Sequence, residues 1–290
     1  MTNQEKRMKQ IGFILIGVAM LTQPLFAQQT KELDILHTSD THSRIEPIDP
    51  QAADKLAGLG GVLRRVAFVK QFRQEHPDML LFDGGDFSQG TPYYNLFRGE
   101  LEVQMMNLMR YDAVTIGNHE FDFGLENMAR LYRMARFPVV CANYDVKGTV
   151  LEGLVKPYVV LERGGLRIGV FGLSPQLEGL VQASRCEGVV YQDPVATAQA
   201  VVDTLRGAER CDVVICLSHL GLLGIDSEVP GDEVLAARTR DIDLILGGHT
   251  HTFLEQPAWL PDADGKHVPL MHTGKNGAYV GQLKMRLEKE

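Results

Sequence analysis

The chain of 290 residues is sparing with cysteine, and its four, Cys141, Cys186, Cys211 and Cys216, form no Cys-x-x-Cys pair. That excludes a zinc ribbon and a thioredoxin-type dithiol. Cys211 and Cys216 bracket a predicted strand and stand ~16 Å apart along it, beyond disulfide reach, so buried free thiols are expected. No Pro-rich or Ser-rich stretch and no run of five like charges interrupts the middle, so no linker is visible and one large domain is expected. Positive charge is also short. Of the net charge of −8, residues 1–27 contribute +2 (Lys6, Arg7 and Lys9 against Glu5), which leaves −10 for the remainder. An acidic protein of this kind offers no electrostatic footprint for a nucleic acid polymer.

Long apolar runs are missing as well. Ile11–Leu21 is shorter than the ~20 residues a membrane span needs. Its flanks, the cations at positions 6–9 and the small residue after Leu25-Phe26, predict a secretory signal cleaved near Ala27, hence a periplasmic or secreted protein without a stable membrane span. No cysteine follows the cleavage region, which argues against a lipid anchor. The remainder, 44% hydrophobic and 23% charged over the whole chain, has the composition of a soluble globular domain.

What the chain does have is a repeated design. Ile35–His42 (ILHTSDTH), Met79–Asp86 (MLLFDGGD), Ala113–Gly124 (AVTIGNHEFDFG), Val213–His219 (VVICLSH) and Leu244–His251 (LILGGHTH) are apolar β-branched runs that each end in Asp, Asn or His. Buried strands deliver reactive groups at their carboxyl ends. The five runs therefore predict parallel strands of one sheet feeding one metal site.

Strand one is expected over Lys31–Thr38, followed by a polar loop, Arg44–Gly61, and a helix over Val62–His76 that Pro77 closes. Gln89–Asn107 and Gly124–Arg136 predict further helices, and Pro138–Cys141 a strand. Tyr158–Leu161 and Arg167–Leu173 predict a hairpin turning at Gly164-Gly165. Ser174–Pro194 reads as loop, Val195–Gly207 and Asp232–Arg240 as helices, and Val268–His272 and Val280–Leu287 as strands flanking the loop Thr273–Gly277. On extended backbone, Asp40 and His42 would project to one side, and so would His249 and His251. Taken alone, Asp-x-His is equally well a polar turn. Asp86 has the carboxylate best placed to bridge two cations, whereas Asp83 competes as a capped turn. Asn118 offers a neutral carbonyl. His119 is the candidate catalytic imidazole, with Asp122 able to orient it if a helical turn begins there. Glu120 reads as a helix-start charge. Asn143 either lines the site or makes an Asx turn.

Asp40, His42, Asp86, Asn118, His219, His249 and His251 are too many ligands for one catalytic ion, and they suit two. Mixed imidazole and carboxylate donors fit Zn, Mn, Fe or Co, while a Ca or Mg cage is nearly all oxygen. Two such ions ~3.5–4 Å apart hold a bridging hydroxide and clamp both oxygens of an in-line phosphoryl displacement.

These motifs, with FDGGDFSQGTP and TGKNGAYVG, resemble the calcineurin-like metallophosphoesterase superfamily, and within it the catalytic domain of the bacterial 5′-nucleotidase family. The resemblance covers about residues 33–287. It implies an α/β fold of four layers, an αββα sandwich, as a single catalytic domain over 28–290. It also implies a first metal held by Asp40, His42 and His251, a second by Asn118, His219 and His249, and Asp86 shared. His119 would stabilise the transition state or protonate the leaving alkoxide, with Asp122 fixing its tautomer. The implied reaction is hydrolysis of nucleoside 5′-monophosphates. Family members also carry a C-terminal nucleoside-binding domain that these residues lack, so a separate chain supplying it is an expected partner. Two other readings stand beside this one: a cyclic-nucleotide or nucleotide-sugar phosphodiesterase on the same site, and a non-catalytic metal-binding protein.

Overall fold

The computed structural model describes residues 31–224 and 230–287, and the expected signal segment lies outside them. In chain order the strands are β1 (Lys31–Thr38), β2 (Leu80–Asp83), β3 (Ala113–Thr115), β4 (Val139–Val140), β5 (Tyr144–Asp145), β6 (Val155–Lys156) and β7 (Tyr158–Arg163). There follow β8 (Leu166–Leu173), β9 (Val190–Tyr191), β10 (Val213–Ser218), β11 (Leu244–Gly247), β12 (Ala258–Pro261), β13 (His267–His272) and β14 (Gly281–Leu287). The helices are α1 (Val62–Glu75), α2 (Pro92–Phe97), α3 (Glu100–Met109), α4 (Gly124–Met134), α5 (Pro194–Gly207) and α6 (Asp232–Arg238).

The five apolar runs do not share one sheet. They divide between two, ordered β14-β1-β2-β3-β4-β6 and β12-β13-β11-β10-β8-β7. The inner strands of each are parallel, and β14, β7 and β12 run antiparallel to their neighbours. The reason the sequence cannot assign partners is that these strands are apolar on both faces. In β1, Leu33 and Ile35 enter the core between the sheets, whereas Leu36 joins the core under α1, α3 and α4. In β10, Val213, Ile215 and Leu217 face the other sheet while Val214 and Cys216 face α5 and α6. Three cores separate four layers, helix, sheet, sheet and helix, as the resemblance implies.

The sheets touch where β8 passes β3 and β4. A Cβ on Gly172 would lie 2.1 Å from the Val140 carbonyl oxygen and 2.4 Å from Thr115 Oγ1, so only glycine allows this approach. Another glycine explains a second departure. The helix expected over Gln89–Asn107 is broken into α2 and α3 at Arg98 and Gly99, both left-handed with φ of 52° and 90°. Helix α4 packs so close there that a Cβ on Gly99 would meet Leu131 Cδ1 at 2.7 Å. The four cysteines are free, three of them buried and Cys186 partly so.

Candidate metal centre

The loops that leave β1 and β2 satisfy each other's backbone. Asp40 N–H donates to Gly85 O at 2.9 Å, His42 N–H to Asp86 O at 3.0 Å and Ser43 N–H to Phe87 O at 2.8 Å. The chain through Asp40 and His42 is therefore not extended. Both residues are left-handed, with φ of 49° and 44°, and so are Asp86, His249 and His251 at 56°, 74° and 55°. Each such residue costs about 1 kcal/mol or more, a strain that persists where the surroundings over-determine the backbone and that gathers at functional sites. Here it turns five of the seven sequence-selected side chains toward one centre.

Two groups result. Asp40, His42 and His251 have ligand atoms all within 4.8 Å of one another, and Asp86, His219 and His249 form a second set on the same criterion. The groups adjoin: His249 N–H donates to Asp40 Oδ1 at 2.9 Å, and the His119 N–H donates to Asp86 Oδ1 at 2.9 Å. Gly117 has to be a glycine, since a Cβ there would fall 2.1 Å from Asp86 Oδ1. Asn118 lies buried in the loop between Gly117 and His119.

Several atoms able to ligate a cation face each other at short range. His219 Nδ1 reaches the Gly84 carbonyl at 2.6 Å; a carbonyl only accepts, so this nitrogen carries the proton. Nε2 then turns toward Asp86 Oδ2 at 3.1 Å, yet outside hydrogen-bonding alignment. His42 Nδ1 lies 3.2 Å from Ser88 O, and its Nε2 sits 2.9 Å from His251 Nε2. Asp40 Oδ2, Asn118 Oδ1 and His219 Nε2 are buried without a hydrogen-bond partner. Each costs about 1–3 kcal/mol if left so. All three belong to the candidate ligand set, and cations at these positions would satisfy them.

The electrostatics agree. Burial pushes the Asp40 carboxyl up to about 6. Asp86 is buried too, but the His219 charge outweighs that penalty and holds it well below the usual carboxylate range. Burial opposes the charged form of His219 as well, and Asp86 overrides it, raising the imidazole to about 10. The pair thus demands one positive charge, which a proton or a metal cation supplies. His249 and His251 both fall to about 4, through burial and then through the neighbouring imidazoles. Burial also lowers His42. These three rings are neutral at pH 7, with lone pairs to offer.

Beside the groups, a 3-10 turn over His119–Phe123 puts His119 Nδ1 3.2 Å from Asp122 Oδ2. Both side chains are about one-third exposed, at 32% and 34%. The hydrogen bond that His119 donates to Asp122 raises its imidazole, against the opposing effect of burial. The rings of His119 and His42 are 5.5 Å apart between centroids, so the pair borders the first group.

Glu120 stands in the first turn of that 3-10 helix, as the sequence suggests, but its carboxylate is spent on the neighbouring loops. It is 1% exposed and accepts the backbone N–H groups of Gly117 at 2.6 Å, Asp86 at 3.0 Å and Ser88 at 3.1 Å. It pins the β2 loop to the β3 loop. Asp83 is likewise buried, accepting from Thr38 Oγ1 at 2.6 Å and Gly85 N–H at 3.0 Å. Asn143 neither lines the site nor makes an Asx turn; it clasps the backbone of Ser174 on the other sheet.

The sequence profile of the calcineurin-like phosphoesterases matches residues 33–253. Rat 5′-nucleotidase is 32% identical over an alignment of 296 positions that covers 95% of this chain and 50% of the rat protein. A 5′-nucleotidase precursor of Thermus thermophilus shares the fold with a TM-score of 0.77 at 34% identity, over 87% of this chain and 51% of that one. The NAD nucleotidase of Haemophilus influenzae gives 0.77 at 28% identity, over 89% and 48%. The chain spans about half the length of the curated relatives it matches. With the profile spanning both ligand-bearing sheets and the fold shared with solved relatives, the chain belongs to the calcineurin-like phosphoesterase family.

Proposed function

We propose that this chain is an exported phosphomonoesterase using two divalent cations to hydrolyse nucleoside 5′-monophosphates to nucleoside and phosphate. The observation that carries the reading is the adjacency of the two ligand groups, each holding a buried donor without a partner, to the His119–Asp122 pair. The substrate class is supported by the names of the rat and Thermus relatives. Export is supported by the pattern of residues 6–27; among the described residues no helix is long and apolar enough to cross a membrane.

Asp40, His42 and His251 would hold one cation, Asn118, His219 and His249 the other, with Asp86 between them. Zn, Mn, Co and Fe all suit the nitrogen and oxygen donors. Bound there, two cations lower the pKa of an attacking water and balance charge on the phosphoryl oxygens. The protein's own part is position and proton supply. Asp122 engages Nδ1 of His119, which leaves Nε2 to donate to the phosphoryl group or to the leaving alkoxide. No serine or cysteine nucleophile is called for.

The test is AMP hydrolysis with Mn²⁺, Co²⁺ or Zn²⁺ present and absent, and with His119→Ala. Metal-dependent release of phosphate, lost in a variant that keeps its metals, is expected; unchanged turnover in that variant would refute the role of His119 and favour a non-catalytic metal protein. The likeness to an NAD nucleotidase favours a second reading, cleavage of a phosphodiester or nucleotide-sugar bond. Assaying AMP, 2′,3′-cyclic AMP and UDP-glucose side by side separates the two. Nucleoside selection by a second polypeptide predicts that a candidate partner raises AMP turnover, and full activity at low KM without one argues against it.

A further inference from the structure

On the helix side of the second sheet, behind His219 and His249, lies a buried acid that the ligand set does not use. Asp232 opens α6 and is fully buried, and both carboxylate oxygens are engaged: Ser218 Oγ donates to Oδ1, and His272 Nε2–H to Oδ2 at 2.8 Å. Ser218 ends β10 immediately before His219. Its Oγ also accepts the N–H of Leu220 at 3.2 Å, so the hydroxyl holds the backbone on both sides of that imidazole. His272 ends β13. The loop that follows returns to the site, where Asn276 N–H donates to Asp40 O at 2.7 Å.

Between these two strands ends β11, at Gly247, two residues before His249. A Cβ on Gly247 would lie 2.1 Å from His272 Nε2 and 2.5 Å from Asp232 Oδ2. The acid and the imidazole therefore rest directly against this backbone. The Asp232 N–H completes the latch by donating to Gly221 O at 2.8 Å. One carboxylate thus meets the ends of three parallel strands, two of which present imidazoles of the same group.

Stability alone does not account for such a cluster. A buried carboxylate carries a desolvation penalty, and apolar side chains of similar volume often serve as well or better. What apolar contacts do not do is fix three strand ends in register to within a hydrogen bond. We infer that Asp232 is a positioning residue for the second cation, setting through Ser218 and Gly247 the spacing between His219 and His249. Two of the first group's three side chains, Asp40 and His42, come from the β1 loop and are held by the Gly85–Phe87 backbone, and only His251 follows β11, so loss of Asp232 falls harder on the second group.

The inference rests on the two-cation reading, and the experiment keeps the two apart. Metal-free wild type, Asp232→Asn and Ser218→Ala are titrated with Co²⁺ by calorimetry against a competing chelator, with the visible absorption of bound Co²⁺ recorded. Wild type should take up two ions. Each variant should weaken one site by about 10–100-fold and the other by clearly less, with altered cobalt bands. Turnover should return in excess Co²⁺ with KM for AMP unchanged. Fewer than two ions in wild type overturns the two-cation reading and the inference with it. Two ions in wild type and unaltered variants overturn the inference alone, as does equal weakening of both sites. Should Asp232→Asn fail to fold, Ser218→Ala decides, because it leaves the Asp232–His272 pair intact.

Discussion

His219 Nε2 stands 3.1 Å from Asp86 Oδ2 while its Nδ1 is committed to the Gly84 carbonyl, so a buried imidazole and a buried carboxylate from different sheets meet and require one positive charge between them. The rest of the site is arranged around the charge this contact requires. His249, His251 and His42 are held neutral, and Asp86 is held ionised. Such a set binds cations without first having to shed protons from three imidazoles.

His119→Ala should lower kcat by about 10²–10⁴, the usual worth of a positioned acid or base, and leave metal content unchanged. Asp122→Asn should cost less, since the imidazole survives and only its orientation and basicity suffer. Steady-state AMP hydrolysis with metal analysis of each variant checks both. Loss of metal in His119→Ala would move that residue into the ligand set.

Glu120 is worth more to the fold than its exposed-looking sequence context suggests. In Glu120→Gln the amide nitrogen replaces one acceptor, leaving at least one buried N–H among Gly117, Asp86 and Ser88 unpaired, at a cost of about 1–3 kcal/mol. Glu120→Ala unpairs all three and should cost more. Urea denaturation measures both. Because Asp86 leans on the same contacts, turnover should fall alongside stability; equal stability of wild type and Glu120→Ala would show the carboxylate to be dispensable.

The sequence carries part of this arrangement and not the rest. The five strands and the residues that end them were readable because apolar β-branched runs stop abruptly at Asp, Asn or His. Their division between two sheets was not, since strands apolar on both faces carry no sign of their neighbours. Six of the seven side chains that the strand ends single out gather into the two groups, yet the backbone that aims five of them is left-handed, not extended. Cross-loop hydrogen bonds decide that, and they join residues more than forty positions apart, as between His42 and Asp86. The partners of Glu120 and Asp232 carry no such sign for a related reason: they are backbone groups or distant side chains with no periodic signature, whereas the turn read at Asp83 is closed by Gly85 N–H.

Asp83 supplies a pH-dependent prediction. Burial pushes its carboxyl from an ordinary 3.8 up to about 7, so the folded state binds this proton more tightly than the unfolded one. The contribution to stability is complete below pH ~4 and is lost as the pH rises toward 7. Asp83→Asn keeps an acceptor for Gly85 N–H and has no charge to bury. It should match wild type near pH 4 and exceed it at pH 8 by up to about 4 kcal/mol, read as a higher Tm by differential scanning fluorimetry at the two pH values. A variant less stable than wild type at pH 8 would mean that the ionised carboxylate is itself a favourable partner there.

The most direct measurement is anomalous diffraction from crystals soaked in Mn²⁺. Two peaks are predicted, ~3.5–4 Å apart, with the Asp86 carboxylate between them, one peak bordered by Asp40, His42 and His251 and the other by Asn118, His219 and His249. A single peak, or none within coordinating distance of Asp86, would contradict the two-cation centre.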